Sequence, residues 1–417
     1  MNSTFIMAEA FLGLGSNLGD RRAHLEAALR ELALISSILS VSSVYETPAL
    51  LPPGAIPEWN RPYLNLAVRI ETADSPKAFL RKILNIETAI GRTRGERWAP
   101  RTLDIDVLVW PGVESNDASL ILPHPRIGDR AFVLDPLSEI APDLVVSGTK
   151  VRNLARAHPE RQSRLMGILN LTPDSFSDGG RHLCAARVEA TLEIWDKSGI
   201  PMIDLGGEST RPGALSVDSV TEWERLSFGL EMIRERYRGR ILKPRVSVDT
   251  RRAATAARAV DFGVDVINDV GGLSDPGMIE VLRTSSCDFV LMHGLPILGD
   301  PVAEVKIFLN SKLEYLEGMG VDRSRVLIDP GIGFGKTSLQ SLELLRRVGE
   351  FQDIGCRILC GHSRKSFLGN FTDSPANERD AETLGVSFAL ARKGVDVLRV
   401  HDPVLHHRAF LAASHAN

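Results

Sequence analysis

Leu165-Met166-Gly167-Ile168-Leu169 opens the regular part of this chain: a short apolar run followed by the polar Asn170. The same arrangement, followed each time by a polar turn and a helical stretch, recurs at Met202–Leu205, Arg245–Val248, Val264–Ile267, Asp288–Met292, Val326–Ile328, Ile358–Cys360 and Val397–Val400. Strands covered on both faces are written as such runs, because neither face needs polar residues. Eight strand–helix units in about 250 residues are the length and period of a (β/α)8 TIM barrel. A doubly wound open sheet is the alternative arrangement.

Before Arg164 the pattern is irregular. An apolar strand at Ala10–Leu14 precedes a helix from Asp20, its N-cap, to Leu34. Ile38–Tyr45 and Asn65–Glu71 read as strands, Pro76 opens a helix to Ile90, and Leu103–Trp110 is a further strand. This mixture predicts an α+β ferredoxin-like layered domain, with helices on a mostly antiparallel sheet. The expected division is 1–157 for this domain, a short linker at 158–163, and 164–417 for the barrel.

The net charge of -4 argues against nucleic acid as the main partner, since phosphate backbones call for a basic face. The first residues lack the charged start and apolar run of a signal peptide, and there is no run of 18 apolar residues to span a membrane. Cys184, Cys287, Cys356 and Cys360 are too few for a disulfide framework at this length and read as structural thiols in a reducing cytoplasm.

Two constellations carry chemistry. In the first half, Asp104 and Asp106 are two apart on a predicted strand, so both carboxylates face one side. Magnesium commonly sits between such carboxylates and nucleotide phosphates. On spacing alone, the solvent face of an amphipathic edge strand is the better explanation of the pair. Arg92, Arg94, Arg97 and Arg101 lie just before it, in a stretch loosened by Gly91, Gly95 and Pro100; they offer planar forks to phosphate oxygens, and Trp98 offers a surface for a flat heterocycle. In the second half, polar residues end every predicted strand, where a TIM barrel carries its active site. They are Asn170, the Gly206–Gly213 loop, Asp249, Asn268-Asp269, Met292-His293, Asp329, Gly361–Ser366 and Arg399-Val400-His401. Asp249, Asn268, Asp329 and Lys365 suit the edge of a heterocycle; Asn170, Arg211, Arg399 and His401 suit an anionic leaving group.

Gly13-Leu14-Gly15-Ser16-Asn17-Leu18-Gly19, Tyr45-Glu46-Thr47-Pro48, Tyr63-Leu64-Asn65, Arg97–Asp106, Leu122-Pro123-His124-Pro125 and Arg130-Ala131-Phe132 together resemble the 6-hydroxymethyl-7,8-dihydropterin pyrophosphokinase family over residues 9–157. The resemblance implies transfer of pyrophosphate from ATP to the pterin hydroxymethyl group, releasing AMP. It makes Asp104 and Asp106 the holders of two Mg2+ ions. Arg92, Arg101, His124 and Arg130 would bind ATP, Arg92 and Arg101 also acting in catalysis. Asn65 would bond the pterin, with Thr47, Pro48, Tyr63, Trp98 and Phe132 around it.

Met166–Gly180, Asp204–Gly213, Ser247–Thr250, Ile267–Asp269, Asp329–Lys336, Ser363–Ser366 and Arg399–Asp402 in turn resemble the dihydropteroate synthase family over residues 164–413. That implies displacement of pyrophosphate from the activated pterin by p-aminobenzoate. Asn170 would carry one Mg2+, and Thr210, Arg211, Arg399 and His401 the pyrophosphate. Asp249 and Lys365, the catalytic pair, would grip the pterin with Asn268 and Asp329, while Met292, Phe334 and Gly361 pack near it. Phe176, Pro212 and Ser366 would frame the aminobenzoate. Such barrels often pair through outer helices, so a homodimer is expected by analogy.

Two motifs fail on inspection. Gly331–Thr337 imitates a nucleotide-binding loop, but Pro330 stands where its first glycine belongs; Gly13-Leu14-Gly15 lacks the third glycine of a dinucleotide fingerprint. His24, His182 and the pair His406-His407 read as surface residues. The competing functional readings are one live enzyme beside a degenerate module, and a pterin-binding barrel that transfers a methyl group. The complete residue sets disfavour the first; the Ser209–Gly213 loop and the Ser363–Ser366 turn disfavour the second.

Overall fold

The computed structural model describes residues 7–93, 96, 98–171, 180–208 and 216–416. Chain contacts divide it into two compact units. One is Met1–Gln162 with Gly239–Leu242 and Phe410–Asn417; the other is Ser163–Arg238 with Lys243–Ala409.

The first unit runs β1 (Ala8–Ser16), α1 (Arg21–Ile35), β2 (Ser37–Val41), β3 (Tyr45–Thr47), β4 (Tyr63–Thr72), α2 (Pro76–Ala89) and β5 (Asp104–Val109). A hairpin of β6 (Ser115–Asp117) and β7 (Leu120–Leu122), helix α3 (Ala131–Ile140), a hairpin of β8 (Val145–Val146) and β9 (Thr149–Lys150), and α4 (Val151–Ala157) follow. The main sheet has the order β2-β4-β1-β5, with β3 beside β4 and every pair antiparallel. This is the ferredoxin-like βαββαβ arrangement. Asp20 caps α1 by accepting from the Ala23 amide, and Ser75 caps α2 ahead of Pro76. Leu25, Leu29 and Leu32 of α1 and Phe79, Ile83 and Ile86 of α2 recur at helical spacing and cover one sheet face. Val133, Leu134 and Leu137 of α3 cover the other. The strand expected over Ile38–Tyr45 is two strands. Ser42 breaks the ladder: its amide donates to the Ala67 carbonyl, while its hydroxyl accepts from the Ala67 amide.

The second unit is a closed, all-parallel eight-stranded barrel. Its strands are β10 (Arg164–Asn170), β11 (Met202–Gly206), β12 (Arg245–Asp249), β13 (Val266–Asp269), β14 (Asp288–Met292), β15 (Val326–Asp329), β16 (Arg357–Cys360) and β17 (Val397–Val400). Between and after them lie α5 (Gly180–Lys197), α6 (Ser219–Arg236), α7 (Ala253–Phe262), α8 (Met278–Thr284), α9 (Pro301–Gly318), α10 (Ser338–Arg346), α11 (Gly369–Thr372), α12 (Asp380–Arg392) and α13 (Pro403–Ala416). Met166, Met202, Val266, Val290, Leu327, Leu359 and Val397 pack together as an apolar plug contributed by seven of the strands. Side chains on a strand alternate faces, so residues two further along share the plug's inward direction. Gly167 faces the other way. A Cβ there would stand 2.7 Å from the Trp195 ring and 3.0 Å from Pro403, so glycine lets two outer helices lie against β10.

At the strands' opposite ends, Asp288 accepts from Arg245 at 2.9 Å and Arg357 at 3.0 Å, tying β12, β14 and β16. Burial opposes its ionisation, but the Arg357 and Arg245 charges outweigh burial and hold its pKa at about 2. A carboxyl depressed in the folded state stabilises above its unfolded value and loses that contribution as pH falls through its folded value. Asp288→Asn should therefore lower unfolding free energy at pH 7 by about 2 kcal/mol. In urea titrations the gap to the parent protein should close between pH 4 and pH 2. A gap that does not change over this range contradicts the assignment.

Candidate active sites

In the first unit, β5 presents Asp104 and Asp106 on the more open face and buries Ile105 and Val107 on the other. Asp104 pairs across the sheet with Gly15, which pairs in turn with Asn65. A Cβ at Gly15 would come within 3.0 Å of the Asn65 amide oxygen and 3.4 Å of the Tyr63 ring, so glycine leaves the room these side chains occupy. Asn65 donates to Thr47 Oγ1 at 2.9 Å, placing the exit of β3, with Pro48 next in the chain, beside β4.

Asp104 accepts from Arg92 at 2.6 Å and Arg101 at 2.9 Å. Asp106 carries the strain of the pair: burial first, then the charge of Asp104, push its pKa up, against the pull of Arg130. A carboxyl beside a second carboxylate is harder to ionise, because like charges repel. Arg130 lies over the Phe132 ring, 5.5 Å from its centre. Burial, then the positive charges of Arg130 and Arg126, lower the pKa of His124, so it stands neutral and ready to donate one N–H. Trp98 holds a left-handed backbone, φ 77°, at the far end of the arginine stretch. Arg94 and Arg97 lie outside the described residues.

Two further residues shape this site and were not singled out from sequence. Glu87, buried on α2, accepts from the Ile105 amide at 2.8 Å, between the two aspartates, and also from Arg92. The Asn17 side chain accepts from the Arg101 amide at 2.7 Å, while its own amide donates to the Arg101 carbonyl. Only the position of Glu87 against β5 distinguishes it.

In the barrel, the inward direction of the plug continues into polar residues. Beyond Met202 comes Asp204, beyond Ser247 Asp249, beyond Val266 Asn268, beyond Val290 Met292, beyond Leu327 Asp329, beyond Leu359 Gly361, and beyond Val397 Arg399 and His401. Arg399 donates to Asp204 at 2.5 Å and to Asp249 at 2.8 Å. Asn268 donates to the same Asp204 oxygen at 3.3 Å. Burial raises the pKa of Asp249; Arg399 opposes this and Asp204 adds to it. Asp204 is fully buried and is the residue that sequence reasoning quoted but did not assign. Its signal was present: it stands two residues after Met202, on the inward side.

Asp329 is held by the Gly331 amide at 2.7 Å, and burial raises its pKa, opposed first by Lys365. Burial lowers the pKa of Lys365 to about 8, with Asp329 opposing. Its ammonium donates to the Ile332 carbonyl and lies 4.2 Å from the centre of the Phe334 ring. The Ser363–Ser366 turn divides its work. Ser363 Oγ lies 2.9 Å from His401 Nδ1, Arg364 turns away to a two-bond pair with Asp380, Lys365 faces the site, and Ser366 is exposed. Asn170 ends β10 exposed, its oxygen 3.2 Å from where a Cβ on Gly206 would stand. A cavity of about 520 Å3 opens beside Asp249 and Phe334, between the loops after β11 to β14. Phe176, Thr210, Arg211 and Pro212 lie outside the described residues.

One surface expectation is corrected. His406 is 1% exposed. Its Nε2 meets Ser387 Oγ at 2.9 Å, the same hydroxyl that His362 Nε2 meets at 2.8 Å. The last helix turns this residue onto α12, where one serine serves two imidazoles. The four cysteines are buried free thiols.

Comparison with known proteins matches each half of the chain to a family. The profile of the family described as "Pterin binding enzyme" matches residues 166–401, and that of "7,8-dihydro-6-hydroxymethylpterin-pyrophosphokinase (HPPK)" matches residues 11–142. The "Folate synthesis bifunctional protein" of Chlamydia muridarum is 37% identical, over 97% of this chain and 97% of its own length. The protein of that description from Arabidopsis thaliana is 32% identical, over 96% and 94%. Among solved structures, dihydropteroate synthase from Clostridium difficile, in the presence of pteroic acid, matches 62% of this chain and 97% of its own, with TM-score 0.57 and 35% identity. The enzyme from Anaplasma phagocytophilum, with bound 6-hydroxymethylpterin-monophosphate, matches 61% and 98%, with TM-score 0.56 and 36% identity. With an antiparallel unit built around a carboxylate pair, a barrel lined with buried acids and cations, and relatives matched over nearly their whole length, the chain belongs to the bifunctional folate-synthesis family, which joins a hydroxymethyl-dihydropterin pyrophosphokinase to a dihydropteroate synthase.

Proposed function

We propose that the two family reactions are divided between 1–157 and 164–417 and carried by the residues named above. In the first, the hydroxyl oxygen of 6-hydroxymethyl-7,8-dihydropterin attacks the β-phosphorus of ATP, and AMP leaves with the electron pair of the broken P–O bond. In the second, the pyrophosphate leaves the pterin methylene with its bonding electrons, and the amine of p-aminobenzoate bonds to that carbon and loses a proton. The product is 7,8-dihydropteroate.

For the kinase step, the donor chemistry of Asp104 and Asp106 fits magnesium: two oxygen ligands on one strand face, with Asp106 held back from ionising. Among the described residues no three acidic, histidine or cysteine side chains gather to hold a metal alone, so phosphate oxygens would complete the shell. Two Mg2+ ions there would neutralise phosphate charge. Arg92, Arg101, His124 and Arg130 would clamp the triphosphate, and Asn65, Tyr63, Phe132 and Trp98 would orient the pterin. Such transfers ask the protein for position and charge rather than covalent work.

The observation that carries the synthase assignment is the inward set Asp249, Asn268, Asp329, Lys365 and Arg399, held in place by Asp204, which accepts from Arg399 and Asn268. The set offers fixed donors and acceptors to the amide and amine edge of a pterin, in a setting dry enough to strengthen each bond. His401 and Arg399 would take the pyrophosphate together with Thr210 and Arg211, and Ser366, Phe176 and Pro212 the aminobenzoate. Asn170 gives one neutral oxygen, which suits a single Mg2+ only if pyrophosphate supplies the other ligands. A reducing cytoplasm is supported by the four free thiols, and pairing through outer helices by analogy of fold.

Asp106→Ala should reduce AMP formation by at least about a thousandfold and leave circular dichroism and thermal melting unchanged. Asp249→Asn should cut dihydropteroate formation about a hundredfold from supplied pterin pyrophosphate, with AMP release at the parental rate. Coupled loss of both activities in either variant contradicts the division. The Lys365 ammonium is lost as pH rises through about 8. The kcat/KM for pterin pyrophosphate should therefore fall about tenfold per pH unit above that value, and Lys365→Arg should flatten the decline. A flat parental profile between pH 7 and 9 rules out a charged Lys365 in binding.

A further inference from the structure

The loop that imitates a nucleotide cradle has another task. Residues 331–337 join β15 to α10, and the lysine of the motif points into the protein. Lys336 Nζ donates to the carbonyl of His293 at 2.8 Å and to that of Phe334 at 2.9 Å. These carbonyls belong to different loops: His293 follows β14 directly, and Phe334 sits in the β15–α10 turn.

The two loops meet main chain to main chain. Gly331 and Gly335 have φ of 69° and 62°. A Cβ would stand 1.9 Å from the His293 oxygen at the first, and 2.7 Å from the Leu295 carbonyl carbon at the second. Glycine makes this approach sterically open, and the approach turns carbonyl groups from both loops toward one point. A buried carbonyl left without a donor is destabilising. Lys336 supplies donors to two of them. Burial lowers its pKa to about 7, and Asp329 opposes the fall. Its charge thus sits one loop away from the acid assigned to the pterin.

The ring of the same Phe334 lies under the Lys365 ammonium at 4.2 Å, and Lys365 itself donates to Ile332, two residues earlier in the turn. One lysine therefore holds the main chain of Phe334 and another covers its ring. We propose that Lys336 is a positioning residue of the synthase step, fixing Phe334 and through it Lys365, so that it sets the affinity for the pterin pyrophosphate without touching it. This inference rests on the assignment of Phe334 and Lys365 to the pterin pocket.

The test uses the full chain and five variants: Lys336→Met, Lys336→Arg, Lys336→Gln, Phe334→Ala and the Lys336→Met/Phe334→Ala pair. Steady-state kinetics with both synthase substrates are read alongside thermal melting and AMP formation. Lys336→Met should raise KM for the pterin pyrophosphate about tenfold, with kcat and the KM for p-aminobenzoate within about twofold. Lys336→Arg, which can still cap two carbonyls, should recover most of the loss. In the Phe334→Ala background, Lys336→Met should add less than about twofold, because its route of action is gone. Lys336→Gln keeps one amide donor and should show a smaller rise of the same kind, which carries the test should the methionine variant fail to fold. A lowered melting temperature with parental KM makes Lys336 merely structural and overturns the proposal, as do effects that multiply in the paired variant. Parental KM in Phe334→Ala would overturn the pocket assignment itself, a result distinct from parental KM in Lys336→Met alone.

Discussion

Arg399 stands inside the barrel with Asp204 and Asp249 both within hydrogen-bond reach. Three charged groups in that interior are costly unless each finds a partner in good geometry. Here one guanidinium satisfies two carboxylates, and Asn268 adds a donor to Asp204. The arrangement sets two carboxylates against one guanidinium, and burial raises the pKa of Asp249. The apolar plug one layer below makes the partnership possible. Its Met202 and Val397 stand two residues before Asp204 and Arg399, on β11 and β17.

The kinase site uses the opposite charge balance. Asp104 is over-supplied with cations, from Arg92 and Arg101, whereas Asp106 is short of them. Buried Glu87 binds Arg92 and the amide between the two aspartates, so it fixes both the guanidinium and the direction of the carboxylate pair. In both units the polar chemistry is preorganised by groups that touch no substrate in this account: Glu87 and Asn17 in one, Asp204 and Ser363 in the other.

Much of this was legible in the sequence because period-two alternation and strand-terminal polarity are local signals. The eight barrel strands were found to within about two residues, as such boundaries usually are. Asp249, Asn268, Asp329 and Arg399 were read from position alone. Asp204 was missed because it lies within an apolar run rather than at its end; counting from Met202 would have exposed it. Glu87, Asn17 and the Ser387-centred pair of His362 and His406 depend on which elements meet in space, and nothing along the chain encodes that. Ser42 split an expected strand for the same reason: its hydroxyl replaces a ladder partner only once β4 lies alongside. Lys336 drew notice for a nucleotide-loop motif that its spacing then denied, and its contacts show two loops being joined.

The central claim is that the product of one unit is the substrate of the other. The most direct measurement incubates the purified full-length protein with ATP, magnesium, 6-hydroxymethyl-7,8-dihydropterin and p-aminobenzoate, and follows AMP and dihydropteroate in the same samples. The account predicts that both appear, with dihydropteroate lagging AMP and never exceeding it. AMP without dihydropteroate, or neither product from a folded sample, would contradict it.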